Sequence, residues 1–146
     1  MTITATRRLT FCAGHRVHMH ESKCAHPHGH NYVCFIECSG DLDSLGRVVD
    51  FSVIKEHVGG WLDKNWDHGF IYWVKDPFAA AMLISFQATS YIVPKAFCMP
   101  TNPTAENMAA FLYEIASKLL GELGVKVLSV RIDETENCSA IYKADA

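Results

Sequence analysis

Ile3 to Phe11 alternates β-branched and polar residues, the pattern of a half-buried strand. His30 to Ser39 predicts a second strand. Tyr32, Cys34, Ile36 and Cys38 fall on one face, and Val33, Phe35 and Glu37 on the other. Gly40 to Gly46 is a turn-rich connection. Asp50 can cap a helix running to about Lys64, with Ile54, Val58, Trp61 and Leu62 on one stripe. The Gly59-Gly60 pair weakens that helix. Asp76-Pro77 starts a short helix reaching about Phe86, followed by an extended segment around Tyr91 to Val93. Pro103-Thr104 opens the best-formed helix, whose apolar face holds Met108, Phe111, Leu112, Ile115, Leu119 and Leu123 before Gly124 stops it. Val125 to Asp133 alternates again, and Ser139 to Lys143 predicts the last strand. The order is ββ, helix, small insert, helix, ββ. Antiparallel strands with helices laid on one face make an α+β domain.

Composition narrows the class. A chain of 146 residues, 49% hydrophobic and 20% charged, predicts one folded domain over 1–146 with a short insert at about 70–100. The net charge of −3 comes without any basic run, which argues against nucleic acid as a partner. The N-terminal residues lack the apolar core of a signal peptide, and the apolar run near Phe78 to Phe86 is too short to span a bilayer. The cysteines are therefore expected as reduced thiols in a cytoplasmic protein. Cys34, Cys38, Cys98 and Cys138 are expected to be structural.

Histidine distribution changes the picture most. Six of the eight histidines and two of the six cysteines lie between Cys12 and His30. His28 and His30 are two apart, so on a strand both rings project from one face. His15 sits where the first strand ends, and antiparallel pairing brings those ends together. Three imidazoles on zinc leave a fourth position open for water or substrate. Gly29 allows close backbone approach or an unusual dihedral between the two ligands. His18 and His20 share the same spacing and compete as ligands; with His26 they are read as loop residues.

Cys24 stands four residues before His28. A thiol beside a metal and imidazoles can act as base or nucleophile, or it can close the site as a fourth ligand. Spacing does not separate the two. Asp67-His68 offers a carboxylate to orient an imidazole, although neighbours in sequence can face apart. Glu134, at the end of the third strand, can accept two parallel N–H bonds from a guanidine-like edge.

In order along nearly the whole chain these pieces resemble the 6-pyruvoyltetrahydropterin synthase / 6-carboxytetrahydropterin synthase family. The matching elements are Phe11-Cys-Ala-Gly-His15-Arg16, Cys24-x-x-x-His28-Gly-His30-Asn31-Tyr32, Gly46-Arg-Val-Val-Asp50-Phe51, Asp67-His68, Asn102-Pro-Thr104-Ala-Glu106-Asn107, and Glu134-Thr135 followed by Ala140-Ile-Tyr142. The resemblance implies the tunnelling fold: a four-stranded antiparallel sheet in ββααββ order, with trimers stacked into hexamers and active sites between subunits. It implies zinc on His15, His28 and His30. Cys24 becomes the catalytic thiol with Asp67 and His68 as relay, and Glu134 anchors the pterin with help from Thr104 and Glu106.

The substrate so implied is 7,8-dihydroneopterin triphosphate. The favoured product is 6-carboxy-5,6,7,8-tetrahydropterin, on the route to queuosine-type 7-deazapurines. A 6-pyruvoyl product on the tetrahydrobiopterin route is the alternative, and a non-catalytic zinc or pterin-binding protein is a third. Two departures stand out. Gly69 follows the Asp-His pair where a second histidine is common, and Ala105 replaces a frequent hydroxyl residue.

Overall fold

A computed structural model describes residues 2–145. Strand β1 (Thr4–His15) runs into a loop that contains a single 3-10 turn, Lys23–Ala25, and returns as β2 (His28–Ser39). Helix α1 (Phe51–Ile54) continues through a π-helical stretch, Lys55–Gly59, into α2 (Gly60–Asn65). Asp50 caps its start by accepting a hydrogen bond from the Ser52 N–H. The weakness expected at Gly59-Gly60 takes the form of that wider hydrogen-bonded turn. Then follow β3 (Gly69–Trp73), α3 (Pro77–Thr89), β4 (Ala96–Met99), α4 (Ala105–Gly121), β5 (Lys126–Thr135) and β6 (Cys138–Lys143).

The four expected strands form the antiparallel run β1-β2-β5-β6. The sheet is larger than four strands, however. Its order is β4-β3-β1-β2-β5-β6, and β3 and β4 join in parallel. Both added strands lie in the insert and are short. Gly69-Phe-Ile-Tyr-Trp73 is a continuous apolar run without alternation, so its period carries no strand signal. The extended piece expected at Tyr91 to Val93 forms no strand; the strand comes at Ala96–Met99.

The core lies between one sheet face and the helices α1, α2 and α4. Phe11, Tyr32, Cys34, Ile36 and Ile132 from the sheet meet Ile54, Leu62, Met108, Leu112 and Leu120 from the helices. Each such apolar side chain, fully buried, contributes about 1.5–3 kcal/mol. Cys34 and Cys38 are buried as small hydrophobes, and burial pushes their thiols up to about 12 and about 11. The insert packs differently: of helix α3 only Ala79 is buried.

Candidate active site

Strand register assembles the histidines. β1 and β2 pair with His15 opposite His28 and Ala13 opposite His30, so three rings gather on the core side at the strand ends. Their centroids are 4.6, 4.9 and 5.2 Å apart. The close pairing needs Gly29: a Cβ there would stand 3.1 Å from the Ala13 carbonyl oxygen. Gly29 therefore serves close approach, not an unusual dihedral.

Second-layer hydrogen bonds fix the tautomers. His15 Nδ1 lies 2.7 Å from the Pro103 carbonyl oxygen, and His28 Nδ1 lies 2.7 Å from that of His26. A carbonyl only accepts, so each Nδ1 donates and each Nε2 keeps its lone pair. Those two Nε2 atoms face each other at 3.1 Å. Two lone pairs at that distance repel unless a cation sits between them. Imidazole nitrogens on one tetrahedral zinc stand about 3.3 Å apart. His30 Nε2 is buried without an aligned hydrogen bond, although Glu134 Oε1 is 3.1 Å away. Donor atoms of all three residues lie within 4.8 Å of one another. The donor set fits a divalent metal.

Burial favours the neutral rings of His15 and His30. Desolvation lowers His15 from 6.5 to about 4, against the opposing Pro103 hydrogen bond and with help from His28 and His30. Desolvation also lowers His30, with Glu134 opposing. Neutral imidazole is the metal-binding form.

Thr104 and Pro103 hold this centre from α4. Thr104 caps that helix by accepting from the Asn107 N–H at 3.2 Å, which positions the Pro103 carbonyl over His15. Glu106 is exposed in the first turn. His18, His20 and His26 stay in the loop as expected. His18 turns toward Asp76, His20 Nδ1 accepts from the Ser22 N–H, and His26 contributes its carbonyl to His28.

Asp67 and His68 do not face apart. His68 adopts φ 59°, a conformation uncommon outside glycine, and this brings its Nδ1 to 2.7 Å from Asp67 Oδ2. Cys12 clamps the pair through its backbone. Its N–H donates to Asp67 Oδ1 at 2.9 Å, and its carbonyl accepts from the His68 N–H at 2.6 Å. Desolvation works to raise the Asp67 carboxyl, but the Cys12 N–H and the His68 ring together hold it below the usual carboxylate range.

The thiol that meets His68 within one chain is Cys12, which sequence reasoning passed over. Its Sγ is 3.5 Å from Nδ1 and 3.6 Å from Nε2. Near-equal separations put the sulfur over the ring, not on the axis of either nitrogen. The signal available in sequence was alternation: Phe11 and Ala13 point to the core, so Cys12 points away from it.

Cys24 sits half-buried on the 3-10 turn and belongs to neither cluster of metal-type donors. It does not stand as a fourth donor on the three histidines. An open cavity of about 400 Å³ lies between Cys12 and His68 on one side and Gly29, His30 and Asn31 on the other. A larger one, about 820 Å³, runs beside β1 along Arg8, Ser52 and Lys55 and touches none of the candidate residues.

A family model described as 6-pyruvoyl tetrahydropterin synthase matches residues 4–145. A protein of Rickettsia bellii named 6-carboxy-5,6,7,8-tetrahydropterin synthase is 40% identical over 138 residues, 93% of this chain and 96% of its own length. One of that name from Aquifex aeolicus is 35% identical over 129 residues, covering 85% of this chain and 78% of the relative. Among solved structures, an uncharacterized protein from Wolinella succinogenes superposes with a TM-score of 0.85 at 24% identity, covering 99% of both chains. The 6-pyruvoyl tetrahydropterin synthase of Caenorhabditis elegans gives 0.71 at 24% identity, with 99% and 97% covered. These structural likenesses show the shared fold.

Proposed function

Because the chain belongs to the 6-pyruvoyl tetrahydropterin synthase family, we propose that it is a zinc-dependent lyase that converts 7,8-dihydroneopterin triphosphate to 6-carboxy-5,6,7,8-tetrahydropterin. One water is consumed, acetaldehyde and triphosphate leave, and the product serves queuosine-type 7-deazapurine synthesis in the cytoplasm. The observation that carries the reading is the convergence of three imidazole donors beside Glu134, in a chain whose relatives at about 40% identity bear the 6-carboxy name.

His15, His28 and His30 hold the metal. Zinc bound there supplies Lewis-acid polarisation of the substrate's side-chain oxygens, which acidifies the neighbouring C–H. Glu134, brought beside His30 by the β2–β5 pairing, accepts the two N–H bonds of the pterin's guanidine-like edge. Thr104 and Glu106, at the head of α4, help Glu134 to anchor the pterin. Cys24 removes a proton from the side chain. His68, oriented by Asp67, returns one elsewhere through its free Nε2.

Cys24 and the Asp67–His68 pair do not meet within one chain, so the relay comes from a neighbouring subunit in a hexamer of stacked trimers. The sheet supports such joining. β3 lies beside β1 only along Ala13–His15, and among the described residues no strand lies beside the remainder of that edge, from Thr4 to Cys12. Residues 1–146 form one domain in this reading. No described helix is long and apolar enough to cross a membrane.

Mass spectrometry of the products made by zinc-loaded protein from 7,8-dihydroneopterin triphosphate tests the assignment. The expected products are 6-carboxytetrahydropterin and acetaldehyde. A 6-pyruvoyl product moves the enzyme to the tetrahydrobiopterin route. Unchanged substrate with zinc bound leaves a non-catalytic zinc or pterin-binding protein.

A further inference from the structure

We propose that Asp76, at the start of the insert helix α3, is a positioning residue for Cys24: it fixes Arg16, and Arg16 fixes the turn that carries the thiol. The inference rests on Cys24 being the thiol of the proposed reaction.

The Asp76 side chain is 1% exposed. Its two oxygens take both sides of one guanidinium fork, Arg16 Nε to Oδ2 at 2.7 Å and Arg16 Nη2 to Oδ1 at 2.5 Å. Oδ1 also accepts the Phe78 N–H at 3.0 Å, so the carboxylate caps α3 as well. Arg16 has further contacts. Nη1 donates to the carbonyl of Ala25, next to Cys24, at 3.4 Å, and Nη2 lies 3.3 Å from His18 Nδ1. The guanidinium carbon sits 4.7 Å over the Phe78 ring. The next residue closes the arrangement, because the Val17 N–H donates to the Cys24 carbonyl at 2.8 Å.

The turn Lys23–Ala25 has no side-chain cap and no buried residue of its own. A turn so poorly anchored takes its place from what grips its carbonyls. Apart from the turn's own bond, His26 N–H to the Lys23 carbonyl, the two grips come from Arg16 and Val17, and the guanidinium of Arg16 is set by Asp76. A buried ion pair adds little net stability against an apolar replacement. A planar fork aimed at a carboxylate and a carbonyl together supplies geometry that Lys cannot. The insert therefore does more than extend the sheet: its first helical turn is bolted to the catalytic loop.

Three measurements on zinc-loaded protein test this: peptide-resolved alkylation of Cys24 by iodoacetamide, zinc stoichiometry, and kcat with KM. Asp76→Asn keeps an oxygen for the α3 cap but loses the ion pair. It is expected to speed Cys24 alkylation severalfold and to lower kcat about tenfold or more, with KM nearly unchanged, since misplacement costs turnover more than binding. Zinc content and the alkylation of exposed Cys98 are expected to stay as in the wild type. Arg16→Met is expected to give the same changes, and combining the two to add little. The double variant Arg16→Met/Asp76→Leu, an apolar replacement of the pair, keeps the test open if a single variant does not fold. Wild-type Cys24 alkylation and kcat in folded variants overturn the proposal, even with a lowered melting temperature. If the wild type does not turn over the pterin triphosphate, the assigned reaction falls, and Cys24 alkylation still decides whether Asp76 sets the turn.

Discussion

The histidine centre on the sheet and the Asp67–His68 pair in the turn before β3 are built in opposite ways. His15 is 1% exposed, its partner rings come from paired strands, and carbonyls pin two of the three Nδ1 atoms. The His68 side chain is 77% exposed, on a turn with positive φ, held mainly by backbone groups of Cys12. Metal binding calls for neutral donors whose directions are settled before the ion arrives. Proton transfer calls for one oriented nitrogen and one that can reach a partner. The first unit is complete in one chain. The second presents a free nitrogen outward, as a group does when the rest of its site comes from elsewhere.

The sharpest way to break this contrast is to remove one of the facing nitrogens. His28→Ala is expected to lose zinc and to lower turnover by about a thousandfold or more, checked by metal analysis beside the product assay. Zinc retained at one per chain would mean that other donors hold it. Next in size is the thiol. Cys24→Ala is expected to keep zinc and lower kcat by about 10²–10⁴-fold. Cys12→Ala, which loses only the sulfur over the His68 ring, is expected to cost less than about tenfold. The reverse ranking would hand the chemistry to Cys12.

The smallest effect is on stability. His15 has a lowered pKa, so the folded state resists protonation that the unfolded chain accepts. Above 6.5 both states are neutral; between 6.5 and about 4 only the unfolded chain takes the proton, and stability falls with pH. Zinc-free protein is expected to lose about 2 kcal/mol between about pH 7 and pH 5 in urea unfolding. His15→Gln is expected to flatten that slope. The carboxyls of Asp67 and Asp76, both held low, contribute losses at more acid pH, as pH falls from the usual carboxylate range toward their lowered values.

Where burial imposes a period, the sequence was legible. β1, β2 and β5 alternate because one face meets the core, whereas β6 buries no residue. The stripe expected on α4 holds at Met108 and Leu112, but the buried face continues through Ala109, Ala116 and Leu120, and Leu123 lies exposed beyond the helix end. His15, His28 and His30 were legible for the same reason, since strand pairing turns spacing into convergence. β3 and β4 were not, because short parallel strands at a sheet edge follow no alternation. Cys12 was missed because its contact lies 56 residues away, across a turn whose positive φ at His68 has no marker in the residue type. Asp76 announced a helix start, and nothing local shows that its carboxylate also grips Arg16.

The register that sets His15 opposite His28 also fixes an order in time. These two donors belong to one hairpin and meet as soon as its ends zip, at the small entropic cost of closing a short connection. Glu134 arrives only when β5 docks on β2, after most of the chain has been threaded between them. Contacts of such long separation form late. A growing chain therefore gathers the first of its proposed metal donors early and its proposed substrate anchor last.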